Sequence, residues 1–401
     1  MRFLLTTVPG AGHLFPLVPL AWSLRALGHE ILLATAGPGT VFGPGAGLST
    51  VDVAPGLEVE AIASTLHDSG ESAAPRERAI ALFTAVSHEM LEGTRRCAEL
   101  WSPDVVIYES MHGAGAVVAA QRGIPAVEHA VIWAAPPGAL VSAICPALTG
   151  GAPYVPAVAS IGIAPPSLAP VPEPGWSLRP VPYTGGAVVP DDVLAAPQNP
   201  RVLLTLGTVV SRNEGVGVVR ELVDAIAQEP IEVLVALGGD PAQLGPLPDS
   251  VRAHPWLPLT VALPHCAAIV HHGGAGTCLA ALAAGVPQVI LPQAADQFLN
   301  ADSLVTRGCA VRSTDNPDEL RMAYRILKNS GYVPPEVHAL RELRDLERYV
   351  EQAEGRGDHD GRAKGLRKLE LLRMKLELEN PQRAALFSRN PYVDRAAERL
   401  D

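Results

Sequence analysis

Lysine is nearly missing from this chain: its four lysines, Lys328, Lys364, Lys368 and Lys375, all lie in the last quarter, and arginine serves everywhere before them. Positive charge as a whole is short. Thirty-one Lys plus Arg stand against 42 Asp plus Glu, a formal net charge of −11, which repels phosphate backbones and argues against a nucleic-acid partner. Charged residues make up only 18% and hydrophobic residues 48%, a balance that excludes disorder as the main state. Long apolar runs are absent as well. Thr6 and Thr7 cut the run Phe3-Leu4-Leu5 and glycine-rich sequence follows; no later stretch reaches ~18 uncharged apolar residues free of Pro and Gly, so neither a signal peptide nor a membrane span is expected. The five cysteines, Cys97, Cys145, Cys266, Cys278 and Cys309, form no CxxC pair. They read as reduced thiols of a cytoplasmic protein, and a metal site is not expected.

What is present is an alternation of strand-like and helix-like segments. The 401 residues allow two to three domains at roughly 150 residues each. Phe3–Thr7 reads as a strand, 16–27 as an apolar helix opened by Pro16 and stopped by Gly28, and Ile31–Thr35 as the next strand. A long helix is expected over 75–101, with Leu82, Val86 and Met90 at near-helical spacing, then strand 105–108, helix 113–121 and strand 126–129. From Trp133 to Pro200 the pattern dissolves into Pro, Gly and Ala. A second series then begins: strand 201–205, helix 214–228, strands 231–237 and 267–270, helix 276–284, strand 289–291 and helix 296–307. Such alternation predicts parallel sheets covered by helices on both faces. The boundaries read as a first domain over 1–190, a linker over 191–200, a second domain over 201–330 and a charged helical tail over 331–401, with 366–378 as an amphipathic helix. Ligands of open parallel sheets bind beyond the carboxyl ends of the strands, so the chemistry is sought in the loops that follow them.

The strongest local signal is His271-His272-Gly273-Gly274-Ala275-Gly276-Thr277, between a buried strand and a helix. Glycines let main-chain N–H groups converge and the helix start adds partial positive charge, which suits a phosphate; the bland reading is a tight turn with glycines for packing. No Lys follows these glycines, so a triphosphate-cleaving loop is disfavoured. Near the N-terminus, Gly10-Ala11-Gly12-His13-Leu14-Phe15 fails as a dinucleotide fingerprint, because Phe15 stands where the third glycine belongs and no carboxylate ends the second strand. That leaves His13 in a loop at a strand's carboxyl end, suited to act as a general base or merely to cap or pack. Glu109 ends a second strand of the same sheet and can orient one nitrogen of His13; otherwise it is a solvated carboxylate. Asp296 and Gln297 open a helix and suit either sugar hydroxyls or helix capping, and Trp256 offers a flat face for a base or a plug for the core.

In combination these landmarks resemble a family 1 glycosyltransferase of the GT-B fold, from the actinobacterial branch that glycosylates antibiotic and polyketide aglycones. The resemblance is carried in order by Gly12–Pro16, Arg25–Glu30, Pro103–Glu109, Val181–Gly186, Thr205–Thr208, Pro255–Pro258, His271–Thr277 and Ala283–Gln297, over roughly residues 1–328. It implies an α/β architecture of two Rossmann-like parallel-sheet domains facing an interdomain cleft. It also implies inverting, metal-independent transfer from a nucleotide sugar, typically a dTDP-deoxysugar, to a hydrophobic small-molecule acceptor, with no further cofactor. Carried over by position, His13 is the base, and Glu109 stands where the family usually has Asp. Trp256 faces the nucleobase and Leu257 holds it through its backbone. Thr208, His272, Gly274, Gly276 and Thr277 hold the diphosphate, and Asp296 and Gln297 hold the sugar. Rival readings are a UDP-sugar enzyme acting on a macrolide or lipid and a non-catalytic helper of transferase shape. Homodimerisation, the linkage type and the role of the tail stay open.

Overall fold

The computed structural model describes residues 1–68, 75–133, 135–207, 216–227, 229–293 and 296–313, with 349–350, 352–356, 358–359 and 361–368. The chain divides into two compact units, 1–330 and 331–401. In the second, residues 361–368 are helical and Gly361 N–H donates to the Asp358 carboxylate; of the expected helix over 366–378, residues 369–378 lie outside the described residues.

The first unit is built on two sheets. One comprises β1 (Arg2–Thr6), β2 (Glu30–Thr35), β3 (Thr50–Asp52), β4 (Val105–Glu109), β5 (Ala126–His129), β6 (Ala159–Gly162) and β7 (Gly175–Ser177), in the order β3-β2-β1-β4-β5-β6-β7. The other comprises β8 (Arg201–Thr205), β9 (Glu232–Ala236), β10 (Val251–His254), β11 (Ala268–His271), β12 (Gln288–Ile290) and β13 (Ala310–Arg312), in the order β10-β9-β8-β11-β12-β13. Every pairing is parallel. The inner strands are short β-branched and leucine runs such as RVLLT in β8, buried throughout, as strands covered on both faces must be. In the first sheet, one face packs Leu4, Val106 and Ala34 against Val86, Met90 and Ala98 of the helix Pro75–Trp101. The other packs Leu5, Leu33 and Ile107 against Leu14, Leu17, Val18 and Ala21.

The expected helix over 75–101 has the bounds the sequence indicated. The stretch 133–200 is more ordered than its composition implies: it holds the helix Val141–Leu148 and the strands β6 and β7. The linker residues form a helical turn, Asp191–Leu194, whose Val193 is buried among Leu203, Leu234 and Ile269 of the second sheet. In each sheet the strand order reverses about the first strand: β1 pairs with β2 and β4, and β8 pairs with β9 and β11. The crevices at these two switch points are where an open parallel sheet binds ligands.

Candidate active site

His13 follows β1 and Glu109 ends β4, so the switch point of the first sheet brings them together. Gly10, with φ 127°, a conformation that L side chains rarely adopt, turns the chain directly into the short helix Ala11–Leu14. His13 therefore rides on a helical turn, not in the open loop expected from the glycines around it. Its Nδ1 lies 3.3 Å from Oε1 of Glu109. Glu109 is fully buried, whereas 22% of the His13 side chain stays exposed. The other carboxylate oxygen accepts the Met111 N–H at 2.8 Å, and Phe83 packs against the imidazole with centroids 5.2 Å apart.

Burial by itself lowers the pKa of His13, but the Glu109 carboxylate, joined by Asp296, outweighs it and the result lies above 6.5. Glu109 responds in the opposite sense: burial raises its pKa, while His13 and the Met111 N–H bring it below the usual carboxylate value. An imidazole whose Nδ1 faces a carboxylate keeps its proton there and presents Nε2 as the basic nitrogen. The longer Glu side chain still reaches the ring. His112 and His129 lie close enough to feel Glu109, yet burial holds both near pKa 4 and therefore neutral. His112 caps the helix Gly113–Arg122 by accepting the Gly115 N–H at 3.2 Å.

The switch point of the second sheet joins the loop after β8 to the glycine turn after β11. His271 is structural: its Nδ1 accepts the Gly273 N–H at 3.1 Å, and its Nε2 lies 3.0 Å from Gln288 Oε1. His272 is different. Its ring is wedged between Gly207 and Gly274, and a methyl group at Gly207 would stand 2.6 Å from it. Burial drives the His272 pKa down to about 4, partly offset by the Thr205 carbonyl, so the ring is neutral at neutral pH. Gly274 caps the helix Ala275–Ala284 without any side-chain hydrogen bond, and Gly276 is exposed with nothing within 4 Å of where a Cβ would stand. The first N–H groups of the helix, including those of Gly276 and Thr277, have no partner within it.

Asp296 precedes the helix Gln297–Thr306. Asn300, one turn on, donates its side-chain amide to Asp296 Oδ2 at 2.8 Å and to the Gly273 carbonyl at 2.9 Å. One amide thus ties this carboxylate to the glycine turn. Burial raises the Asp296 pKa, partly offset by Asn300 and His13. Gln297 Oε1 accepts the Gln293 N–H at 2.8 Å. Trp256 donates its indole N–H to the Thr184 carbonyl at 3.0 Å and meets Phe15 of the first sheet's half edge-to-face, centroids 6.1 Å apart. Leu257 is buried, 3% exposed. Thr208 lies outside the described residues. The structure thus pairs His13 with Glu109 within electrostatic reach of Asp296, links Asp296 through Asn300 to the glycine turn that leads into Gly274, Gly276 and Thr277, and sets Trp256 against Phe15 of the other half. Sequence reasoning missed Asn300 and the buried Glu128; the spacing of four from Asp296 and a carboxylate inside the apolar strand β5 were the available signals. Among the described residues no group of three or more His, Cys, Asp or Glu side chains is arranged to hold a metal ion, and no helix is long and apolar enough to cross a membrane.

Two parallel-sheet halves, with a His–Glu pair at one switch point and a glycine-rich helix start at the other, are the architecture of a GT-B glycosyltransferase. The comparisons agree. Models of the erythromycin biosynthesis protein CIII-like N-terminal and C-terminal domains match residues 22–207 and 220–342. The elloramycin glycosyltransferase ElmGT of Streptomyces olivaceus is 38% identical over 366 residues, spanning 86% of this chain and 94% of its own. The L-demethylnoviosyl transferase of Streptomyces niveus is 38% identical over 336 residues, spanning 80% and 87%. Among solved structures, the glycosyltransferase SsfS6 of Streptomyces sp. SF2575, complexed with thymidine diphosphate, superposes with a TM-score of 0.71 at 32% identity, covering 83% of this chain and 92% of that one. SnogD of Streptomyces nogalater gives 0.69 at 34% identity, covering 86% and 99%. The chain belongs to the erythromycin biosynthesis protein CIII-like family of antibiotic glycosyltransferases.

Proposed function

We propose that this glycosyltransferase moves a deoxysugar from a dTDP-sugar to a hydroxyl of a hydrophobic, polyketide-type aglycone, with inversion and without a metal ion. The observation that carries the reading is the His13–Glu109 pair at 3.3 Å, within electrostatic reach of Asp296 and beside an uncapped helix start. His13 Nε2 takes the acceptor's hydroxyl proton while Glu109 stabilises the imidazolium that forms. The acceptor oxygen bonds to the anomeric carbon as the bond from that carbon to the diphosphate oxygen breaks, and attack from the opposite face inverts the centre. Charge on the departing diphosphate is met by the free N–H groups at Gly276 and Thr277, the Thr277 hydroxyl and the neutral His272 ring. Thr208 is assigned to the same group by position, Trp256 and Leu257 to the base, and Asp296 and Gln297 to the sugar.

The choice of nucleotide is supported by the thymidine diphosphate bound to SsfS6 and by the relative named TDP-daunosamine transferase DnrS. The choice of acceptor is supported by relatives named for elloramycin and for tylactone. A thermal-shift panel tests the reading: stabilisation by dTDP is expected, a response to UDP alone would redirect the donor assignment, and no response to either would point to a non-catalytic helper.

A further inference from the structure

At the carboxyl ends of β4, β5 and β6, beginning at Ser110 next to Glu109, the fold forms a partly open chamber of about 300 Å³. Its walls are apolar, among them Ile132, Leu140, Ile161 and Val171. Into them are set four polar side chains that are each at least nine-tenths buried: Ser110, Glu128, Trp133 and Ser160, at 8%, 5%, 9% and 7% exposure. Two of these have no partner among the described residues: the Trp133 indole N–H and the Ser110 hydroxyl. Leaving a buried donor unsatisfied costs roughly 1–3 kcal/mol, so two such groups in an apolar chamber suit an occupant that offers them polar atoms. Glu128 adds a third polar group. Both its oxygens face the Gly138 N–H, at 2.9 and 2.8 Å, the Tyr108 hydroxyl donates to the same carboxyl, and the chamber lining contains no cationic side chain. Burial, with no cation in the lining to oppose it, pushes this carboxyl up to about 7.

We propose that Trp133, Ser110 and Glu128 are specificity-determining residues for the acceptor, seating the end of a fused-ring molecule that presents a carbonyl oxygen to the indole N–H and a hydroxyl to the Glu128 carboxylate. This rests on the glycosyltransferase reading and extends it to the acceptor class. Ser110 follows Glu109 directly in the chain, so a molecule lodged here has its far end held beside the base. The volume lies at the lower end of the range for small-molecule sites, about 300–1,000 Å³, and so takes one end of a multi-ring acceptor. An aglycone without both a carbonyl and a hydroxyl at that end leaves the buried groups unmatched and is rejected.

The test uses the full chain and two probes, alizarin, which carries adjacent hydroxyl and carbonyl oxygens on a flat fused ring, and unsubstituted anthraquinone, with dTDP binding as a separate control. Calorimetry should show alizarin binding at least tenfold tighter than anthraquinone. Trp133→Phe, which keeps the aromatic ring and removes the N–H, should weaken alizarin about tenfold with dTDP affinity unchanged. Ser110→Ala serves as a second, sterically mild variant and should weaken alizarin severalfold; Glu128→Gln should do so by at least as much as Trp133→Phe. Equal affinity for the two probes, no alizarin binding by the wild-type protein, or alizarin affinity unaltered in all three variants overturns the acceptor assignment. If dTDP also fails to bind the wild-type protein, the nucleotide-sugar reading fails separately.

Discussion

Adding one methyl group at Gly276 separates a phosphate site from a packing turn. In the structure this glycine is the second residue of the helix Ala275–Ala284, is exposed, and has nothing within 4 Å of the position a Cβ would take. As a matter of folding, Gly276→Ala is favourable. Glycine costs up to ~1 kcal/mol relative to alanine inside a helix, and a fraction of that in its first turn. Thermal unfolding should therefore shift upward slightly, by about 1 °C or less. If a diphosphate rests on the free N–H groups at this point, the same methyl group stands between phosphate and backbone. Losing one hydrogen bond to a charged group costs roughly 1.5–3 kcal/mol, so dTDP affinity measured by calorimetry should fall at least tenfold. A variant that is more stable but binds nucleotide worse is the signature expected. A variant that binds dTDP as well as the parent would remove the diphosphate from this helix start and leave the glycine-rich turn as a device for packing.

Three further outcomes follow from the same geometry. His272→Ala should weaken dTDP by about 1.5–3 kcal/mol; because burial keeps the ring neutral, with a pKa about 4, that loss should be the same at pH 6 and pH 8 by calorimetry. His13 acts as a base only when unprotonated, and its pKa is raised above 6.5 by Glu109. The acidic limb of the kcat/KM profile should accordingly rise through a value above 6.5. In Glu109→Gln the carboxylate is gone while burial remains, so the limb should move to lower pH as the plateau falls; a limb that stays in place would detach it from His13. Turnover should survive a chelator in full, since helix N–H groups and His272 supply the charge stabilisation; loss in chelator and recovery with Mg²⁺ would refute this.

The parallel architecture was legible because strands buried on both faces leave uninterrupted apolar runs, and glycines and prolines mark their ends. The strand β8, RVLLT, is the clearest case, and the helix Pro75–Trp101 was legible from its own spacing. The strands β6 and β7 were illegible for the opposite reason. They are four and three residues long, set among prolines, and are held by pairing, β6 to β5 and β7 to β6, rather than by any pattern of their own. Of the site, residues at strand ends could be listed from sequence, since topology dictates where ligands meet the sheet. Their mutual distances could not, and the helical setting of His13 was hidden by Gly10 and Gly12 before it. The chamber around Glu128 and Trp133 was invisible, because it exists only where three strands and two irregular segments converge.

The central claim, that His13 is the base of a sugar transfer, is tested most directly by single-residue replacement with two readouts. The assay combines a dTDP-deoxysugar with a hydroxylated aromatic polyketide aglycone. It follows by mass spectrometry the gain of one deoxyhexose on the acceptor and the release of dTDP, for the parent protein and for His13→Ala. General-base assistance contributes about 10²–10⁴ in rate, so the variant should lose that factor in turnover while binding dTDP with unchanged affinity, the proposed nucleotide site being on the other sheet. Near-normal turnover in His13→Ala would contradict the account.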